Sequence, residues 1–157
     1  MNKRLFPLLL SVGLILILGS CNNADKTQML MGDWIIQETS IKNLDQYLQQ
    51  YKEKYKPSEE DLSSIKMRLE SISELYYPAG IIMSFKADSV FELGGTPGTW
   101  SYDPQSNTLS IHFSSIDNAK FKITDLSKKK MVLQYESQME EIPFVIELKL
   151  KKSEEKE

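Results

Sequence analysis

A single cysteine, Cys21, and a single histidine, His112, are the residues with the widest chemical reach in this chain of 157. One thiol cannot close an intrachain disulfide or build a thiolate metal cage, and one imidazole cannot support a histidine-rich metal site. His112 falls between Ile111 and Phe113 in an alternating run, so it points to the opposite face from them and reads as a solvated surface residue. The acidic group Glu59-Glu60-Asp61 follows Ser58 at the start of a helical pattern, where negative charge complements the helix dipole. Glu140-Glu141 has no partner for acid–base or metal work in the sequence. Gly94-Gly95-Thr96-Pro97-Gly98 lacks the Lys-Ser/Thr of a phosphate loop and precedes a strand instead of a helix. Ser71 and the other serines have no nucleophile elbow around them. These residues form no catalytic constellation, and no cofactor or metal is expected. An enzyme working with Asp and Glu alone would need two carboxylates converging in a cleft.

The elements that carry these residues begin with a leader. Met1 to Arg4 is basic, and Leu5 to Leu18 is an almost wholly apolar run. That is the layout of a secretory signal, and it falls short of the roughly 20 residues that span a bilayer. Leu18-Gly19-Ser20-Cys21 resembles the lipobox of bacterial lipoproteins, in which a small residue precedes a cysteine that is acylated and becomes the new N-terminus. The resemblance makes residues 1–20 a cleaved signal peptide and Cys21 a lipid tether, since several acyl chains, each contributing about 0.8 kcal/mol per buried CH2, hold a protein stably. An ordinary free thiol beside a conventional cleavage site is the other reading of Cys21. Asn22 stands where some lipoproteins carry the aspartate that retains them in the inner membrane, which points to the outer membrane. Residues 21–28 read as the lipidated cysteine and a polar spacer.

After the spacer, 41% apolar and 26% charged residues suffice for one folded domain, expected over 29–152, with a frayed charged tail at 153–157. The net charge of −3 gives nucleic acid no general attraction. Gly32 to Thr39 has the β-branched and aromatic content of a strand. Leu44, Tyr47, Leu48, Tyr51 and Tyr55 then recur at helical spacing up to Pro57, and Leu62, Ile65, Leu69, Ile72 and Tyr76 continue it up to Pro78 and Gly80. Residues 42–77 are thus a helical hairpin.

Beyond Gly80 the period drops to two. Ile81, Met83 and Phe85 share a face, followed by Phe91 and Leu93 and, after a Gly94–Gly98 loop, by Thr99 to Tyr102. Further alternating runs hold Leu109 to Phe113, Phe121 and Ile123, Met131 to Tyr135, and Phe144 to Leu150. About eight strands joined by short turns predict a mainly β fold, an eight-stranded antiparallel up-and-down barrel with the hairpin inserted between strands 1 and 2. A two-sheet sandwich also satisfies the count.

Three motifs carry a family resemblance. Gly32-Asp33-Trp34 resembles the Gly-x-Trp signature of lipocalins; Met83 to Phe91 resembles the "Phe, turn, Phe" hairpin, and Gly98-Thr99-Trp100-Ser101-Tyr102 the "Gly-x-Trp-x-Tyr" strand, of bacterial lipocalin-like lipoprotein domains. The resemblance implies a barrel anchored to the cell envelope that binds a small hydrophobic ligand without catalysis. Trp34, Ile36, Phe85, Phe91, Trp100, Phe113, Phe121, Tyr135 and Phe144, at inward positions, would line its chamber or fill it as core. The hairpin departs from the simple family pattern. Its apolar stripe either lids the barrel mouth or, with Tyr47, Tyr51 and Tyr55 exposed, meets an envelope protein partner over a filled barrel. Lys128-Lys129-Lys130 reads as a solvated turn within reach of anionic headgroups.

Overall fold

Period-two alternation dominates the chain from Gly32 onward, and the segments that carry it close into a barrel. The computed structural model describes residues 21–113, 118–137 and 141–154, with the backbone alone at 21–25 and 72–73. The strands are β1 (Gly32–Ile41), β2 (Ile82–Phe85), β3 (Val90–Leu93), β4 (Thr96–Asp103), β5 (Thr108–Phe113), β6 (Ala119–Leu126), β7 (Lys130–Ser137) and β8 (Phe144–Lys152). Each pairs antiparallel with the next, and β8 pairs with β1, so no sheet edge remains open. The expected up-and-down barrel is the fold, and a sandwich is not.

Inward positions of every strand supply one core. Trp34, Ile36, Met83, Phe85, Phe91, Leu109, Ile111, Phe121, Met131, Leu133 and Leu148 are all at most 1% exposed. Fully burying such a side chain contributes about 1.5–3 kcal/mol against leaving it in water. Pairing shifts by one residue between Ile36 and Glu38, and again between Ile123 and Asp125, two bulges of the kind that bend a sheet enough to close it.

Antiparallel alternation sorts the connections to two ends. At the terminal end lie the start of β1, the end of β8 and the turns β2–β3, β4–β5 and β6–β7. At the opposite end lie the β3–β4 turn and the insertion between β1 and β2. That insertion consists of helices α2 (Leu44–Tyr55) and α3 (Glu59–Tyr76), as the spacing predicts. Lys56 ends α2 in the left-handed conformation (φ 50°), with its N–H on the carbonyl of Lys52, and Pro57 cannot continue the helix. Ser58 starts α3 through a reciprocal cap: its Oγ accepts from the Asp61 N–H at 3.1 Å, and its own N–H donates to Asp61 Oδ2 at 3.2 Å.

Two boundaries differ from expectation. Residues 21–28, read as a polar spacer, belong to a helix, α1 (Cys21–Leu30), which the barrel holds in place through its last turns; its own sequence has no apolar stripe. The five-residue loop expected at Gly94–Gly98 is a two-residue turn, with Gly94 at φ 53° and Gly95 at φ 90°, the geometry a tight hairpin demands. Thr96, Pro97 and Gly98 already pair with Leu93, Glu92 and Phe91.

Candidate functional site

The inward-facing residues are the natural place to look for a binding chamber, and the structure brings nearly all of them into mutual contact. Trp34, Ile36, Phe85, Phe91, Trp100, Phe121 and Phe144 are buried, while Phe113 and Tyr135 are half-buried. Their rings pack edge to face or tilted, the arrangements aromatic quadrupoles favour. Phe85 stands 5.0 Å from Phe91 and 5.6 Å from Trp100 between ring centres; Phe91 lies 5.7 Å from Phe113, and Phe121 lies 5.7 Å from Tyr135. At 0% exposure, Trp34, Ile36 and Phe91 have no water-sized space beside them.

Among the described residues, the chain itself packs across both barrel ends. At the terminal end, the Trp34 indole N–H donates to the carbonyl of Leu30 at 2.7 Å, and Leu30 itself is fully buried. The Lys152 ammonium donates to the Met29 carbonyl at 3.0 Å and lies 5.1 Å from the Trp34 ring centre. The Lys26 ammonium donates to Asn107 Oδ1 in the β4–β5 turn at 3.2 Å, and the Tyr102 hydroxyl donates to the same oxygen at 2.7 Å. Around the wall, the Trp100 indole N–H reaches the Lys86 carbonyl at 3.0 Å.

At the hairpin end, Tyr47 is 1% exposed and meets Phe144 edge-on at 5.8 Å. Tyr51 stacks on Tyr47, and Tyr55 packs on Tyr51 and donates to Glu141 Oε2 at 2.8 Å. The tyrosine stripe is therefore graded, with Tyr47 buried, Tyr51 half-buried and Tyr55 46% exposed. Its first member caps the barrel, because α2 leaves β1 with Asn43 Oδ1 accepting the Val145 N–H at 2.8 Å, which turns that face inward. The Lys54 ammonium also binds the Glu141 carboxylate, raising the lysine's pKa and lowering that of Glu141. Glu141, without a partner in the sequence, has two in the fold. Glu140 lies outside the described residues.

Tyr76, expected on the buried stripe of α3, is 58% exposed. The chain leaves the helix there, and Tyr77 turns in instead, 5.8 Å from Phe121, with its pKa pushed up to about 12 chiefly by burial. No periodicity argument reaches Tyr77, since it stands outside the helix. The apolar groups that the hairpin exposes most are Met67 (66%) and Leu75 (78%), about two turns apart on one side of α3; Tyr76 lies half a turn round from Met67, and Tyr55 on α2 is 46% exposed.

Groups on the outer wall serve structure. His112 Nδ1 lies 2.7 Å from Asn118 Oδ1, on the wall's outer face as expected. Ser84 is buried on that face, flanked across the strands by Asp33 and Glu92, and Glu92 is paired with Lys86 at 3.0 Å. Hydrogen bonds from the Ser106 hydroxyl and the Gln105 N–H lower the Asp103 pKa in the β4–β5 turn. Among the described residues, no three His, Cys, Asp or Glu converge as metal ligands, and no helix is long and apolar enough to cross a membrane. Residues 1–20 lie outside the described residues, as does the side chain of Cys21, whose backbone begins α1. The chain matches no protein-family model, no curated protein and no solved structure.

Proposed function

We propose that this protein is a lipid-tethered component of a bacterial cell envelope, anchored through Cys21, that acts by binding a protein partner and not by catalysis. The lipobox-like Leu18-Gly19-Ser20-Cys21 supports the tether. One observation supports the choice of partner: the residues that would line a ligand chamber pack largely on one another, with Trp34, Ile36 and Phe91 at 0% exposure and with Leu30 and Tyr47 packed across the two barrel ends. A filled barrel works as a rigid mount for its surface. The surface best suited to a partner is the side of α3 where Met67 and Leu75 are uncovered, since methionine is enriched where proteins meet.

A small hydrophobic ligand is the second reading. Phe113 and Tyr135 favour it, because they sit on inward strands near the hairpin end yet keep part of their surface accessible.

Native mass spectrometry of the protein purified from membranes, followed by solvent extraction, separates the two readings. A mass equal to that of the acylated chain supports the packed barrel. A stoichiometric apolar adduct overturns it in favour of the ligand reading. A photo-reactive residue at Leu75 should then crosslink to the same envelope protein in repeated preparations, whereas one at Thr99 on the barrel wall should not. The tether itself is tested by Cys21→Ser, which should abolish incorporation of radiolabelled palmitate and leave the precursor unprocessed.

A further inference from the structure

We propose that the terminal end of the barrel carries a docking surface for an anionic phospholipid bilayer, formed by Lys128, Lys129, Lys130 and Lys151. The inference rests on the tether reading for the nearness of a bilayer, and on charge placement for the docking. Lys130 and Lys151 are direct cross-strand partners in the β7–β8 register. Like charges placed opposite each other on a sheet destabilise it, so this pair opposes folding unless something anionic lies over it. None of the four lysines has a salt bridge among the described residues.

The turn that displays them is held firmly. The Ser127 N–H donates to the Lys130 carbonyl at 2.8 Å, the Lys130 N–H to Ser127 Oγ at 3.0 Å, and the Lys152 N–H to the Lys129 carbonyl at 3.0 Å. Three successive lysines are thereby fixed beside a fourth. Lys26 and Lys152 stand at the same end, although their ammonium groups are occupied by Asn107 and by Met29 with the Trp34 ring. The described turns and strand ends at this end also carry the carboxylates Asp33, Asp88, Asp103, Asp125 and Glu154, and Asp103 is already engaged by its own turn.

What makes the occupant a bilayer is the path of the chain. α1 begins at Cys21 and ends at the Trp34 plug on this same end, and its ten residues span only about 15 Å. Lipids on Cys21 would therefore hold the four lysines within a short distance of the headgroups. Near a charged bilayer each lysine strengthens partitioning about fivefold. The uncovered face of α3 is then carried on the far side of the barrel, away from the membrane.

The test uses the protein purified from membranes, carrying Gln105→Cys in the β4–β5 turn of the terminal end labelled with a fluorophore, or Ser71→Cys on the hairpin as a reference. Each is reconstituted into vesicles of phosphatidylcholine alone or with phosphatidylglycerol. Docking predicts that acrylamide quenching at position 105 falls on phosphatidylglycerol vesicles only, that position 71 is unchanged, and that high salt restores quenching. Lys129→Glu/Lys151→Glu should abolish the protection, while Lys66→Glu/Arg68→Glu, an equal change of charge on the hairpin, should keep it. Equal quenching at position 105 on both vesicle types overturns the docking, even if the protein floats with phosphatidylcholine vesicles and so upholds the tether. Failure to float with phosphatidylcholine overturns the tether, and quenching on phosphatidylglycerol still decides the docking.

Discussion

The Trp34 indole N–H donates to the Leu30 carbonyl at 2.7 Å, and both residues are fully buried. This bond links the first inward residue of the barrel to the end of the helix that stoppers it. Trp34→Phe keeps most of the ring but leaves the Leu30 carbonyl without that donor, at a cost of about 1–3 kcal/mol. The expected result is a lower urea midpoint at unchanged slope. Amide exchange in α1 should rise more than in β5 or β8, and a uniform rise across the barrel would contradict the assigned role of the bond.

Tyr47 and Tyr55 share one helix face, and their burial separates them. Tyr47→Ala removes a ring fixed against Phe144 and should destabilise the whole protein by about 3–5 kcal/mol. Tyr55→Ala loses a bond to an exposed carboxylate and should cost about 0.5–1.5 kcal/mol. Thermal melts of the two variants check the order. Similar losses would mean that the hairpin does not cap the barrel.

Gly98 is required by closeness and not by its own dihedrals. A Cβ there would stand 2.6 Å from the backbone oxygen of His112, which cannot swing aside as a side chain could. Gly98→Ala should cost about 1–3 kcal/mol and loosen the β4–β5 ladder in hydrogen exchange. Thr99→Ala, next along the strand on the exposed face, should stay within about 0.5 kcal/mol of the parent.

Tyr77 makes stability fall in alkali. Its pKa is raised from 10.0 to about 12, so between those values the unfolded chain releases the proton while the folded chain retains it. Stability contributed by the neutral phenol is full below pH 10 and is lost as pH rises toward 12, amounting to about 2–3 kcal/mol. Lys54 and Lys149, raised by Glu141 and Glu38, lose stability in the same direction, but these exposed pairs contribute little. Urea midpoints from pH 9 to pH 12 should fall less steeply for Tyr77→Phe than for the parent. Parallel profiles would remove Tyr77 as the cause.

The barrel was legible wherever one wall face meets water. Leu109 and Ile111 alternate with Ser110 and His112, and Phe144, Ile146, Leu148 and Leu150 with Val145, Glu147 and Lys149, so a period of two appears in the sequence itself. Pro97 hid the start of β4, because proline argues against a strand unless its missing N–H falls where no ladder bond is needed. In the described residues, pairing with β5 begins only at Gly98. α1 was hidden for another reason: Leu30 and Lys26 are held by the barrel, which an isolated stretch of sequence does not reveal. Helical spacing identified the apolar face of α2, but spacing says nothing about what covers a face. The same limit applies to the inward aromatic residues: their alternation places them inside the wall, but does not say whether they fill it or line a chamber.

The seam between β1 and β8 sets the order of events when the protein is made. Glu38 on the first strand meets Lys149 on the last, 111 positions later, and β8 is also the partner that completes β7. A ribosome delivers β8 more than a hundred residues after β1, so β1 waits unpaired on that side until those residues have been made. Closure over so long a separation is slow. A wall whose first strand is completed only by its eighth cannot shut piecemeal, so its last seam forms in a single concerted step.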